Sequence, residues 1–180
     1  MKFKEEVLST RTIFDGKVVH LTEEEVKLPN GKKASREIIH HQGAVGIIAI
    51  TPDNKLVLIR QWRAPLGQVT LEIPAGKIEQ DEQDDPLLTA KRELNEETRF
   101  EADQFELLTK FYTSPGFADE MMYLYHAVGL KEVKKELPQD DDEFLELVEL
   151  SAAEVQEAIN NGEICDAKTL MAIMFWQMME

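Results

Sequence analysis

Residues 75–100, AGKIEQDEQDDPLLTAKRELNEETRF, decide the fold of this chain of 180 residues. Asp85 can cap a helix, Pro86 suits its first position, and the run LLTAKRELNEET favours helix throughout. Acidic residues crowd the stretch. It therefore predicts an acidic helix that begins at Pro86. That helix is either a solvated surface or a set of carboxylates placed to bind a divalent metal ion.

The positions of the glutamates on this helix bear on that choice. When each residue is advanced by about 100°, Ala90 and Leu94 define a buried stripe, and Glu93 and Glu97 stack at its edge. Like charges four residues apart destabilise a helix by about 0.2–0.5 kcal/mol when exposed, and by more when partly desolvated. With Glu96 nearby, the pair suits Mg²⁺, which prefers oxygen ligands. A solvated acidic face stays open as the alternative.

The composition bounds the class of protein. A hydrophobic fraction of 43% suits a soluble globular domain, and no apolar run approaches the roughly 18 residues of a membrane helix. The net charge of −15 argues against nucleic acid or an anionic membrane as the partner. A bound phosphate would therefore need a metal ion or clustered arginines. The single cysteine and the charged N-terminus favour a cytoplasmic location.

Strand signals precede and follow the helix. The range 17–41 predicts a hairpin around the Asn-Gly turn at 30–31. The apolar runs 44–50 and 55–62 predict a second strand pair, and 68–73 predicts a short strand. Further strands are predicted at 106–112, at 121–129 and around 144–149.

Two helices are predicted at the C-terminal end. Ser151 and Glu154 have the spacing of a capping box, and this helix should stop near Gly162. Asp166 can cap a last helix, AKTLMAIMFWQMME. The order of strands, helix, strands and helices predicts a mixed α+β fold.

Gly76, Glu82 and the run Arg92-Glu93-Leu94-Asn95-Glu96-Glu97 resemble the signature of the Nudix hydrolases. Other segments, spread over about residues 15–175, are similar to the bacterial ADP-ribose pyrophosphatases of that family. They are REII (36–39), GAV (43–45), RQWRAP (60–65), EIPAGK (72–77), YTSPGF (112–117), DEF (142–144) and DAKT (166–169).

The resemblance implies a fold and a division of the chain. The Nudix fold is a mixed β-sheet sandwiched between α-helices. Residues 1–42 would be an N-terminal β extension that makes a homodimer, and residues 43–180 would be the Nudix hydrolase domain.

Two features depart from the signature. Nine residues, 83–91, separate Glu82 from Arg92 where the family has seven. Aligned from the helix instead, Asp84 takes the place of Glu82, and the extra residues fall in an exposed loop where insertion costs little. Arg99 occupies the position of the second glycine of the signature. If that residue is left-handed, a non-glycine side chain costs about 1 kcal/mol.

The resemblance also implies an activity. It implies hydrolysis of the pyrophosphate bond of ADP-ribose to AMP and ribose 5-phosphate, with Mg²⁺ as cofactor and Mn²⁺ as a substitute. Glu93 and Glu97 would be the principal metal ligands, together with the backbone carbonyl of Ala75. Glu96 would be a further ligand or would be held by Arg92, which would orient the glutamates.

A general base should lie outside the helix, because metal-bound carboxylates are poor proton acceptors. The resemblance points to Glu143, in QDDDEFLELVEL, as this base or as a further metal ligand. From composition alone, the same acidic run favours a solvated loop. Arg92 and Glu96 are the other predicted catalytic residues.

The predicted substrate is a small nucleoside diphosphate sugar. Arg63 is the candidate for its phosphate or ribose, and Arg36 and Glu37 are the candidates for the adenosine half. Ser114 and Gly116 would shape the pocket of the terminal ribose. Arg63, Arg36 and Glu37 each have a simpler interpretation as exposed surface residues.

Two other functions compete with this one. The chain could hydrolyse another nucleoside diphosphate sugar, such as GDP-mannose, or a dinucleotide. It could instead be a catalytically silent binding protein with a Nudix fold, although silent members usually lose the helix glutamates that this chain keeps. A simple acidic Ca²⁺-buffering protein is a third interpretation.

Overall fold

A computed structural model describes residues 2–139 and 144–179, and over these ranges it contains ten strands and three helices. The strands are β1 (Glu6–Asp15), β2 (His20–Lys27), β3 (Lys33–His40), β4 (Ala44–Ala49), β5 (Leu56–Arg63), β6 (Gln68–Glu72), β7 (Ala75–Lys77), β8 (Phe100–Tyr112), β9 (Met121–Glu132) and β10 (Glu146–Leu150). The helices are α1 (Pro86–Thr98), α2 (Ala152–Asn160) and α3 (Ala167–Met179).

The chain folds into two compact units. The first contains Met1–Gly43 and Phe111–Met121, and the second contains Ala44–Lys110 and Met122–Glu180. The short return of the chain into the first unit brings the loop that follows β8 to the N-terminal sheet.

The first unit is built on an antiparallel sheet in the order β1-β2-β3. Its β2-β3 hairpin confirms the prediction for 17–41, with His20 opposite His40 and Lys27 opposite Lys33. Gly31 has φ 84°, the left-handed conformation that an Asn-Gly turn supplies without steric cost.

The second unit contains two further sheets. One has the order β10-β5-β6, and the other has the order β7-β4-β9-β8, in which β4 is parallel to β9 and antiparallel to β7. The predicted pairing of 44–50 with 55–62 is therefore wrong, because β4 and β5 belong to different sheets. An isolated bridge between Ile50 and Leu56 joins their ends. Both strands are continuous apolar runs without alternation, so the sequence does not specify their neighbours.

Helix α1 packs on β4 and β7 and carries the predicted stripe inward. Ala90 and Leu94 are fully buried in one core cluster with Val45 and Ile47 of β4. At the start of the helix, the side chain of Asp85 accepts a hydrogen bond from the backbone N–H of Leu87 at 3.2 Å. The predicted helix and its cap are confirmed.

The two C-terminal helices begin where the sequence predicts. Ser151 and Glu154 form the capping box of α2, and the Asp166 carboxylate accepts a hydrogen bond from the backbone of Thr169 at 3.0 Å at the start of α3. Helix α3 packs on β4, on the sheet that α1 also covers. Across the described ranges, none of the helices has the length and apolarity that crossing a bilayer requires.

Helix α1 ends in a left-handed residue, the conformation expected at the second glycine of the signature. Arg99 has φ 63° and ψ 23°. Its Nη1 donates to the carbonyl oxygen of Leu137 and, at 3.4 Å, to that of Asn95. The arginine thus combines an unfavourable backbone conformation with hydrogen bonds that a glycine could not make.

Arg99→Ala is expected to be less stable than Arg99→Gly. Both variants lose the guanidinium group, but only alanine keeps a Cβ in the left-handed conformation. The expected difference is about 1 kcal/mol in the free energy of unfolding. Urea denaturation of the two variants beside the unsubstituted protein measures it, and equal stabilities would show that the conformation at 99 is not strained.

Candidate functional site

Two glutamates of α1 are buried one helical turn apart in the second unit. Glu93 is 7% exposed and Glu97 is 5% exposed, although both are acidic. Glu93 lies against Gly76, where an added Cβ would stand 1.8 Å from its Oε1. The Oε2 of Glu97 accepts a hydrogen bond at 2.9 Å from the backbone N–H of Ala75. Both carboxylates therefore meet the β7 backbone at residues 75–76.

Arg92 binds one member of this pair, Glu93, together with Glu82 and Glu96. Its Nη1 lies 2.7 Å from Glu93 Oε1 and 2.9 Å from Glu96 Oε2. Its Nε and Nη2 donate to the two oxygens of Glu82 at 3.0 and 2.9 Å. The hydrogen bonds to Glu82, opposed by burial, raise the pKa of Arg92, so the guanidinium stays charged. The same contact lowers the pKa of Glu82 to about 2.

The structure decides between the two alignments of the signature. Glu82, and not Asp84, binds Arg92, and it also accepts a hydrogen bond from the hydroxyl of Thr89 at 2.8 Å. Asp84 is exposed. The two extra residues thus lie between Glu82 and Pro86 and do not displace the glutamate, as a loop insertion allows.

The donor set fits a hard divalent cation in its chemistry. Glu93, Glu96 and Glu97 supply carboxylate oxygens on adjacent turns of α1, and the backbone of Ala75 lies against Glu97 through its N–H. Among the described residues, no three acidic, histidine or cysteine side chains already surround one point. The reason is visible in the contacts, because Arg92 holds Glu93 and Glu96 while the Ala75 N–H holds Glu97.

A second charged cluster centres on Glu72, which is 2% exposed. Arg63 binds it with two parallel hydrogen bonds, Nε to Oε1 at 2.7 Å and Nη2 to Oε2 at 2.6 Å. Lys168 Nζ donates to the same carboxylate and, at 2.9 Å, to Asp166. Thr70 donates its hydroxyl to Oε1 at 2.7 Å. Burial alone would raise the pKa of Glu72, but these partners lower it to about 2.

Lys168 and Thr70 are the members of this cluster to which the sequence analysis assigned no role. Lys168 lies in the first turn of α3, where a cation is disfavoured by the helix dipole. A lysine at the start of a helix therefore favours a carboxylate partner, and this position in the sequence could have predicted one. Arg63, the predicted phosphate contact, keeps 38% of its side chain exposed while Glu72 orients it.

Glu72→Gln is expected to lower the free energy of unfolding by about 3 kcal/mol at pH 7. The pKa of the folded carboxyl is lowered from 4.5 to about 2, so its contribution is complete above about pH 4.5 and is lost as the pH falls toward 2. Denaturant unfolding from pH 7 to pH 3 should show the two proteins converging. Glu101→Gln, at an exposed position, is the control. A difference that stays constant with pH would assign the effect to packing.

The other predicted contacts lie in the first unit. Arg36 and Glu37 are neighbours on β3 and therefore point to opposite faces of its sheet. Arg36 binds Glu5 with two hydrogen bonds, of 3.1 and 2.6 Å. Ser114 and Gly116 lie in the loop that returns to this unit.

Glu143, the predicted general base, lies outside the described residues. Its role stays a sequence-based prediction. The structure thus brings together Ala75, Glu93 and Glu97, with Glu96 joined to them through Arg92.

Comparison with known proteins finds matches over nearly the whole chain. The NUDIX domain family matches residues 40–171, and the family described as the nucleoside diphosphate sugar hydrolase N-terminal domain matches residues 5–39. The chain is 47% identical over 178 residues to a methanol dehydrogenase activator of Bacillus methanolicus, a match that covers 99% of this chain and 95% of the relative. It is 42% identical over 177 residues to an ADP-ribose pyrophosphatase of Bacillus subtilis, covering 98% and 95% of the two chains.

A solved structure described as an ADP compounds hydrolase superimposes with a TM-score of 0.85. It covers 98% of this chain and 94% of its own, and at 23% identity it shows the fold alone. The predicted Nudix fold is confirmed. With the NUDIX match over most of its length and the signature glutamates on α1, this chain belongs to the Nudix hydrolase family.

Proposed function

We propose that this protein hydrolyses the pyrophosphate bond of ADP-ribose to AMP and ribose 5-phosphate, with Mg²⁺ as its metal ion and Mn²⁺ as a substitute. The observation that carries the proposal is the buried pair Glu93 and Glu97 against the backbone of residues 75–76. The relative named an ADP-ribose pyrophosphatase and the match of residues 5–39 to a nucleoside diphosphate sugar hydrolase domain support this substrate class.

The charges explain why a metal ion is needed. A pyrophosphate diester carries two negative charges, and the protein has a net charge of −15. A divalent cation bound by Glu93, Glu96, Glu97 and the Ala75 carbonyl would neutralise phosphate oxygens and favour attack by water. Arg92 offsets part of the charge of Glu93 and Glu96, and a divalent cation would offset the repulsion between the buried Glu93 and Glu97.

The other residues have supporting roles in the proposal. Arg92 orients Glu93 and Glu96 through its Nη1, and its opposite edge is fixed by Glu82. Arg63 offers its exposed edge to a phosphate or ribose oxygen while Glu72 sets its direction. Arg36, Glu37, Ser114 and Gly116 would contact the adenosine and terminal ribose groups.

We further propose that the protein acts as a homodimer through residues 1–42. Every residue of β1 is exposed. Several of its apolar side chains, such as Val7 at 52% and Phe14 at 57%, are among those exposed. A second copy that covers this strand would remove that apolar area from water. Sedimentation velocity tests it, and a monomer at micromolar concentration would contradict it.

A second candidate function follows from one relative. Because a methanol dehydrogenase activator is 47% identical over nearly the whole chain, the protein is also a candidate activator of another enzyme. Adding it, or its Glu97→Gln variant, to a methanol dehydrogenase separates the alternatives. Activation by the variant as well would indicate a binding function that needs no hydrolysis.

The substrate assignment is tested by a panel of nucleotides. We expect kcat/KM in the presence of Mg²⁺ to be higher for ADP-ribose than for GDP-mannose or a dinucleotide. Faster cleavage of another nucleotide in the panel would indicate a Nudix hydrolase with a different substrate. No cleavage of any of them would favour a catalytically silent binding protein.

A further inference from the structure

We infer that His40 and Asp119 are positioning residues that fix the loop 113–120 on β3 and thereby set selectivity for the group beyond the pyrophosphate. This inference rests on the proposed function, because it concerns the same substrate. All of the residues involved lie in the first unit.

The loop has the form of a recognition element. Its two ends are closed by a hydrogen bond from the Thr113 N–H to the Glu120 carbonyl at 3.3 Å. Its tip is open, since a Cβ added at Gly116 would meet nothing within 4 Å and Phe117 is 55% exposed. A closed loop with an open tip on a rigid sheet is a common site of ligand contact.

The backbone of the loop is pinned to the end of β3. The Ile39 N–H donates to the Phe117 carbonyl at 2.8 Å, and the Asp119 N–H donates to the Ile39 carbonyl at 3.2 Å. Ile39 and Ala118 form a parallel bridge at the same place. The strand that carries Arg36 and Glu37 therefore carries the loop with Ser114 and Gly116 as well.

Asp119 strengthens this attachment with both of its side-chain oxygens. Oδ2 lies 2.6 Å from His40 Nδ1, and Oδ1 accepts a hydrogen bond from the His41 N–H at 2.8 Å. His41 Nδ1 lies 3.5 Å from Glu120 at the closed end of the loop. His40, the last residue of β3, and His41, which follows it, thus contact Asp119 and Glu120 of the loop.

The other nitrogen of His40 continues the network into the sheet. Nε2 lies 2.9 Å from the hydroxyl of Thr22, which is 5% exposed on β2. Because a carboxylate only accepts, Nδ1–H donates to Asp119, while the Thr22 hydroxyl can donate to Nε2 or accept from it. Contacts on both ring nitrogens therefore fix the orientation of the imidazole, and the imidazole in turn fixes the position of the Asp119 carboxylate.

A role in stability explains these contacts less well than a role in geometry. The side chains of His40 and Asp119 are 37% and 47% exposed, and a polar contact so exposed contributes little to folding. What the network supplies is a single position for the loop. A shift of about 1 Å in such an element is enough to change substrate binding strongly.

The test compares His40→Ala, His40→Asn and Asp119→Asn on ADP-ribose and GDP-mannose. We expect His40→Ala and Asp119→Asn to raise KM for ADP-ribose roughly tenfold, with kcat changed by less than about twofold, and to reduce the preference between the two substrates by a similar factor. His40→Asn should largely restore KM, because its amide can donate from the position of Nδ1. Asp103→Asn, which removes an exposed carboxylate that pairs with Lys131 in the second unit, is the control.

Hydrogen exchange at the amides of Ile39 and Asp119 gives a readout independent of activity. We expect faster exchange in His40→Ala than in His40→Asn. Unchanged KM and selectivity in His40→Ala would overturn the inference, whether or not exchange is faster. If the unsubstituted protein prefers a different nucleoside diphosphate sugar, the proposed function fails, and the same variants test the inference on the preferred substrate.

Discussion

Glu97→Gln is expected to lower kcat for ADP-ribose by roughly 100-fold or more, because it removes a charged ligand of the proposed metal ion. Glutamine keeps the size of the side chain and an oxygen that can accept the hydrogen bond from the Ala75 N–H. The substitution therefore changes charge with little change in shape. Steady-state kinetics at several Mg²⁺ concentrations measures the effect.

A thermal readout separates metal binding from chemistry. In metal-free buffer, Glu97→Gln should be at least as stable as the unsubstituted protein, because it relieves repulsion with the buried Glu93. The rise in melting temperature on adding Mg²⁺ should be smaller in the variant. Glu157→Gln, on the exposed face of α2, is the control and should behave like the unsubstituted protein. Full turnover by Glu97→Gln would refute the metal site.

Gly76→Ala is expected to reduce both activity and stability. Its Cβ would lie 1.8 Å from Oε1 and 2.0 Å from Cδ of Glu93, distances that no real contact allows. Glu93 must move, and its contact with Arg92 moves with it. Overpacking of this kind costs roughly 1–3 kcal/mol, and a displaced ligand should lower kcat by about tenfold or more.

A double-mutant cycle identifies the cause. Glu93→Ala removes the side chain that the new methyl group would strike, so Gly76→Ala should cost less stability in that background than alone. Denaturant unfolding of the four proteins gives the coupling free energy. Additive effects would mean that Gly76 is required for its backbone and not for the space that Glu93 occupies.

The carboxylate site could be predicted from the sequence because its geometry is local. Helical periodicity places Glu93 and Glu97 beside the stripe of Ala90 and Leu94, and a single helix imposes that spacing. The structure agrees, with all four side chains buried. The conformation of Arg99 also followed from one position at a helix end.

What the sequence could not specify depends on contacts between distant segments. The pairing of β4 with β9 joins residues far apart in the chain, and a uniformly apolar strand does not select its neighbour. The same holds for Lys168, which reaches Glu72 across almost a hundred residues. The contact between Glu82 and Arg92 likewise could not be predicted, because it depends on the path of the loop between them.

The central claim is that this chain cleaves ADP-ribose with a metal ion bound by the α1 glutamates. Product identification by chromatography, after incubation of ADP-ribose with the protein in Mg²⁺ and in chelator, tests it most directly. We predict AMP and ribose 5-phosphate in equal amounts with Mg²⁺ and intact ADP-ribose with chelator. Intact ADP-ribose in both samples, or equal cleavage in both, would contradict the account.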